Sequence, residues 1–101
     1  MKGRRVRLFL RLSAEVNNRL RTLMRYHGEL SKYIDQALLS FDLRNIELIP
    51  VAVGRRTRGM TAVISITANG RLRKAAKRRR CTVTELANSA LHKWLGERKA
   101  L

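Results

Sequence analysis

Hydrophobic positions along the chain switch from a period of two to a helical period, and the switch then occurs a second time. Residues 6–12 read Val-Arg-Leu-Phe-Leu-Arg-Leu, with Val6, Leu8, Leu10 and Leu12 recurring at every second position. That period puts the four side chains on one face, so the segment predicts a strand with one buried side. Ser13 follows, and its hydroxyl suits it to accept from an orphan backbone N–H at a helix start. Val16, Leu20, Leu23 and Met24 then fall at i, i+4, i+7 and i+8, one stripe of a helix. Gly28 is the expected stop, because glycine tolerates the left-handed turn after a helix. A second helix is expected from about Ser31, with Ile34, Ala37, Leu38 and Phe41 as its apolar stripe.

Residues 45–53 (NIELIPVAV) are apolar and hold the only proline, Pro50. They are expected to run as an extended cover over the core. Residues 54–59 (GRRTRG) are basic and bounded by glycines, so they read as a loop. The period of two returns in residues 61–66, with Ala62, Ile64 and Ile66 on one parity. Thr67 is the expected cap of the next helix, whose thin stripe is Leu72, Ala75 and Ala76. Thr82 or Thr84 caps a last helix, with Leu86, Ala87, Ala90, Leu91, Trp94 and Leu95 inside and Gly96 as its stop.

The order strand, helix, helix thus appears twice. Neither copy can bury its faces alone, and two strands make only a marginal sheet unless helices back them. The sequence therefore predicts a mostly α, α+β domain over residues 1–101, with two strands paired antiparallel over four helices. Residues 5–43 form the first unit, 44–59 a linker and 60–97 the second unit.

Charge narrows the class of partner. Lys and Arg number 23 against 7 Asp and Glu, a formal charge of +16. Self-repulsion at that charge opposes a compact fold, and a polyanion relieves it. The first fifty residues carry 10 basic and 5 acidic groups, leaving 13 and 2 for the rest. Arginine dominates, and its planar fork of donors suits phosphates and guanine edges.

Other classes fit poorly. The carboxylates are scattered, and neither a phosphate loop nor a nucleophile–His pairing is present, so an enzyme is not expected. Cys81 alone excludes an internal disulfide and a Cys-rich zinc site, and suits a reducing cytoplasm. His27 and His92 lie far apart without companion ligands, so neither metal nor cofactor is expected. Residues 6–12 are too short, and too interrupted by Arg7 and Arg11, for a signal peptide. No run reaches the ~20 apolar residues of a membrane span. Residues 71–80 offer a membrane surface only Leu72, Ala75 and Ala76, so no membrane partner is expected.

If Leu8, Leu10 and Leu12 face the core, then Arg7, Phe9 and Arg11 face out. By the same parity Thr61, Val63 and Ser65 face out of the second strand. An ordinary solvated sheet face has this pattern too, and residues 45–53 are an alternative cover for Phe9.

The segments VRLFLRLSAEVNNRLRTLMRYHGELSKYIDQALLSF and TAVISITANGRLRKAAKRRRCTVTELANSALHKWL each resemble the ribbon-helix-helix family, the Arc and MetJ type of DNA binder. Together they cover about seven tenths of the chain. The resemblance implies that Arg7, Phe9, Arg11, Thr61, Val63 and Ser65 touch base edges in the major groove of double-stranded DNA. Arginine clasps guanine there, and apolar groups meet thymine methyls. It also implies a phosphate held at each second-helix start, with help from Ser31, Lys32, Thr82 and Thr84. Arg4 and Arg5 in the basic arm add phosphate contacts, as does the run Lys77, Arg78, Arg79 and Arg80. Part of that run also complements a helix dipole.

Two motifs in one chain are similar to the tandem, TraY-like form found among relaxosome accessory proteins. That implies a pseudodimer able to act as a monomer or to bind DNA in several copies, and a relaxase or other DNA-processing partner. The outward triplets differ, Arg7-Phe9-Arg11 against Thr61-Val63-Ser65, so the expected DNA site is not a palindrome, with a G·C-containing half for the arginines and a more T-rich half. A transcriptional repressor needs only the same binding and stays open. An antitoxin, which adds a toxin-capturing tail, and an RNA binder, which prefers exposed aromatic platforms, fit less well. The second segment departs from the pattern in two ways. Either its first helix is about two residues shorter or its strand register differs, and Arg80 stands where the family usually has glycine.

Overall fold

Two strands far apart in sequence pair along their whole length. The computed structural model describes residues 4–25, 28–49 and 57–99. In chain order these form β1 (Arg5–Ser13), α1 (Ala14–Leu23), α2 (Glu29–Ser40), β2 (Thr57–Ser65), α3 (Ile66–Arg79) and α4 (Val83–Lys99). β1 and β2 are antiparallel, in a register running from Arg5 opposite Ser65 to Ser13 opposite Thr57, with Phe9 opposite Thr61 at the middle. The result is a small, mostly helical α+β fold.

Alternation decides which face of the sheet is covered. Leu8, Leu10, Leu12, Ala62 and Ile64 are buried in one cluster with Val16, Leu20, Ile34, Leu38, Leu72, Leu86 and Leu91. Each fully buried leucine or isoleucine contributes about 1.5–3 kcal/mol. The ribbon is therefore held by the helices beneath it rather than by its own ladder. Trp94 and Tyr33 add a tilted ring contact at 5.3 Å between α4 and α2. Leu43 and Ile46 are buried and Leu48 partly so, and the Ile49 N–H donates to Ser89 Oγ at 2.8 Å. The described part of the expected cover is thus in place, while residues 50–56 of the cover and loop lie outside the described residues.

Element ends depart from expectation in four places. β2 begins at Thr57, inside the expected loop, because Gly59 and Thr57 find partners opposite Arg11 and Ser13. α1 stops at Leu23, well before Gly28. Met24 is extended (φ −77°, ψ 139°), and the Leu23 carbonyl accepts from the Tyr33 hydroxyl instead. Leu23 is accordingly exposed rather than on the buried stripe, and Gly28 is the N-cap of α2. Gly96 does not end α4, which runs to Lys99.

The fourth departure is at α3. Ser65, not Thr67, is its N-cap, with Oγ accepting from the Ala68 N–H at 3.1 Å. Ser13 does the same for the Val16 N–H at 3.2 Å. Ile66, expected on the buried strand face, is helical and 46% exposed. α3 has 14 residues against 10 in α1, so the helix is not shortened, and the strand register is what differs. At its far end Arg80 adopts the left-handed conformation (φ 56°, ψ 40°). The Arg80 N–H bonds back to the Lys77 carbonyl and the Cys81 N–H to the Ala76 carbonyl, the double wrap that glycine usually closes.

Candidate nucleic-acid interface

The uncovered face of the ribbon carries Arg5, Arg7, Phe9 and Arg11 from β1, and Gly59, Thr61 and Val63 from β2; all are exposed. Across the strands Arg7 faces Val63, Phe9 faces Thr61 and Arg11 faces Gly59. Phe9 is 60% exposed, a large apolar group in water between two arginines. Its ring leans diagonally over Gly59, where an added Cβ would meet Phe9 Cζ at 3.0 Å. Residues 45–49 therefore leave Phe9 uncovered. Neither strand contains an acidic residue. Five of the six residues expected to face out thus share this surface.

Ser65 is the exception. Its hydroxyl accepts from the Ala68 N–H and donates to Asp35 Oδ1 at 2.9 Å, so it serves the start of α3. The outward position that sequence parity missed is Gly59. The signal for it was the cap itself: a serine closing β2 as Ser13 closes β1 shifts the outward set back by two.

A two-stranded ribbon has two outer edges with backbone groups to satisfy. The N-terminal half of α2 closes the β2 edge, where the Val63 N–H donates to Ser31 Oγ at 3.0 Å and the Ser65 N–H to Asp35 Oδ1 at 2.9 Å. α4 closes the β1 edge. There the Ser13 N–H donates to Asn88 Oδ1 at 2.9 Å, and Asn88 Nδ2 donates to the Arg11 carbonyl at 3.0 Å. Asp35 and Asn88 were not singled out by the sequence. The pair of polar residues Asn88 and Ser89 inside the apolar stripe of residues 86–91 was the available sign of Asn88.

The start of α2 meets the ribbon through Ser31, and both second-helix starts already carry a carboxylate. Glu29 sits in the first turn of α2 and accepts from the Arg25 N–H. At α4, Thr82 Oγ1 accepts from the Glu85 N–H at 3.0 Å, while Glu85 Oε1 accepts from the Thr82 N–H and hydroxyl. This reciprocal capping box uses the groups of Thr82 that a phosphate was expected to take. Lys32 is exposed, while Ser31 and Thr84 are half-buried.

The basic run divides. Lys77, Arg78 and Arg80 are exposed on α3 and its end. Arg79 is not a surface cation: its Nη1 donates to the Leu43 and Ile46 carbonyls at 3.1 and 2.7 Å. Arg4 and Arg5 are exposed at the ribbon end, and the Arg4 carbonyl accepts from the Ile66 N–H. Asp42 beside these elements is held below the usual carboxylate range by its bonds to the Arg44 side chain and N–H. Cys81 is pushed up by partial burial, against reactivity as a thiolate.

Among the described residues no group of His, Cys, Asp and Glu is placed to hold a metal ion. His27 lies outside them. None of the described helices is long and apolar enough to cross a membrane. Compared with protein families, curated proteins and solved structures, the chain matches none.

Proposed function

We propose that the chain binds double-stranded DNA sequence-specifically by laying the β1–β2 ribbon in the major groove, as two ribbon-helix-helix motifs joined in one chain. The observation that carries this is the acid-free outer ribbon face, with Arg7 and Arg11 on either side of an exposed Phe9. A two-stranded ribbon is narrow enough for a groove about 12 Å wide, and arginine pairs bidentately with guanine there.

The equivalence of the two motifs rests on the caps. Ser13 and Ser65 stand 65 − 13 = 52 residues apart, and the same offset carries Phe9 onto Thr61, its direct cross-strand partner. A local twofold axis therefore passes through that pair. Asp35 and Asn88 perform matching tasks, each taking the backbone N–H of the opposite motif's capping serine. The outward triplets become Arg7-Phe9-Arg11 and Gly59-Thr61-Val63. They are unequal: Arg7 lies beside Val63 on one side of that axis and Arg11 beside Gly59 on the other, so each half of the DNA site meets one arginine and the halves differ through Val63 against Gly59.

Selection of bound sequences from random duplexes tests the proposal. A non-palindromic site is expected, and Arg7→Ala or Arg11→Ala should each cost about 1–3 kcal/mol and relax only the half that residue faces. Equal loss on every sequence would remove the base-reading claim. The tandem arrangement favours an accessory role in DNA transfer. Stimulated nicking by a relaxase at an origin of transfer, against binding at the chain's own promoter, separates that role from a repressor's.

A further inference from the structure

A second set of cations lies away from the ribbon. A cleft of about 940 Å³ opens between the end of α2, the turn after it and α3, lined by Phe41, Asp42, Arg44, Arg71, Lys74 and Arg78 among others. Arg71, Lys74 and Arg78 fall at i, i+3 and i+7, one face of α3. Asp42 is the one carboxylate in the lining, against four cations, and Arg44 already holds it at 3.1 Å. α3 buries Ala68, Leu72, Ala75 and Ala76 in the cluster beneath the sheet, so its cationic stripe is turned away from the ribbon's outer face. The ribbon face and the α3 stripe are therefore separate cationic surfaces.

We infer that this cleft and the exposed face of α3 bind the sugar–phosphate backbone of a second nucleic-acid segment, without reading its sequence. An acidic peptide is the competing occupant, and the lining argues against it. Leu43 and Ala75 are buried, and Lys93 lies over the Phe41 ring at 5.3 Å, so the cleft offers a peptide no open apolar anchor. The charge also continues past the cleft. Arg73, Lys77 and Arg80 are exposed along the same helix, and Arg71 to Arg80 spans about 13 Å at 1.5 Å per residue. A polyanion longer than the cleft uses that run; a short peptide does not. Arg71 is partly committed, donating to the Phe41 carbonyl at 2.8 Å, which fixes one wall of the cleft. The inference goes beyond base reading by the ribbon and does not need it.

The test uses the full chain in four forms: unchanged, Arg7→Ala/Arg11→Ala, Lys74→Glu/Arg78→Glu, and all four changes together. Binding of a random-sequence fluorescent duplex is followed against salt. The ribbon variant should keep a salt-dependent affinity that the α3 changes then remove, with the slope of log K on log salt falling by about 2, near 0.9 per lost phosphate contact. The unchanged chain on an immobilised duplex should capture a second, free duplex, and the Lys74→Glu/Arg78→Glu chain should not. An Arg21→Glu/Arg25→Glu chain, with the same charge change on and just after α1, should behave like the unchanged protein. The inference is overturned if the α3 variant matches the unchanged chain in both assays, or if the Arg21/Arg25 control loses as much. It is also overturned if a polyglutamate peptide binds the ribbon variant more tightly than duplex does. A ribbon variant that still selects the same DNA sequence overturns the ribbon's base reading alone.

Discussion

The side-chain oxygen of Asn88 takes the Ser13 backbone N–H at 2.9 Å, tying α4 to the end of β1 across 75 residues of sequence. The same amide donates to the Arg11 carbonyl, so one buried side chain satisfies two backbone groups at that end of the edge. Asn88→Ala strands both. Each orphaned buried group costs about 1–3 kcal/mol, so a loss of roughly 2–4 kcal/mol is expected in urea denaturation. A loss under about 0.5 kcal/mol, the usual scatter of surface changes, would mean that the edge does not depend on Asn88.

Arg79 separates a structural cation from a phosphate-binding one. Arg79→Ala removes two charge-assisted bonds to the turn after α2, and about 2–3 kcal/mol of stability is expected to go with them. The salt slope of DNA binding should stay where it was. If the slope instead falls by about 0.9 with stability unchanged, the guanidinium leaves its carbonyls to hold a phosphate.

Arg80 is strained where a glycine would not be. It holds φ at 56°, a conformation costing an L-residue roughly 1 kcal/mol. Arg80→Gly should therefore raise stability by up to about 1 kcal/mol, less what glycine loses through unfolded-state entropy. Arg80→Val should lower it, since a β-branched side chain tolerates this region least. Thermal melts of the three chains give the order.

Gly59 governs how Phe9 lies. Gly59→Ala places a Cβ 3.0 Å from Phe9 Cζ, so the exposed ring must give way by a few tenths of an ångström. Stability should move by less than about 0.5 kcal/mol, as for other surface changes. On the proposed reading the preferred bases at the centre of the DNA site should change, which repeated sequence selection would detect. An unchanged site would place Phe9 off the DNA.

Alternation and helical stripes made the strands, the four helices and the outer arginines legible in the sequence. Arg7, Phe9 and Arg11 needed only parity, because a single slip would have buried two charges. What sequence hid depends on groups that meet only in the fold. Ser65 and Thr67 are equal as local caps, and Asp35, thirty residues away, is the partner bonded to Ser65. Arg79 looks like its neighbours in a run of four cations, yet it alone points at the carbonyls of residues 43 and 46. The carboxylates at both second-helix starts were visible as Glu29 and Glu85. The effect of Glu85 was not, since a capping box and a phosphate clamp ask for the same N–H groups.

The pairing of β1 with β2 inside one chain also frees the ribbon from mass action. Where two strands come from separate molecules, folding is bimolecular and dilution takes the ribbon apart. Here each strand sees the other at a tethered concentration that does not change with the amount of protein present. The midpoint of unfolding should then be independent of protein concentration. A few molecules would keep an intact ribbon, and either strand can change without its partner having to change with it.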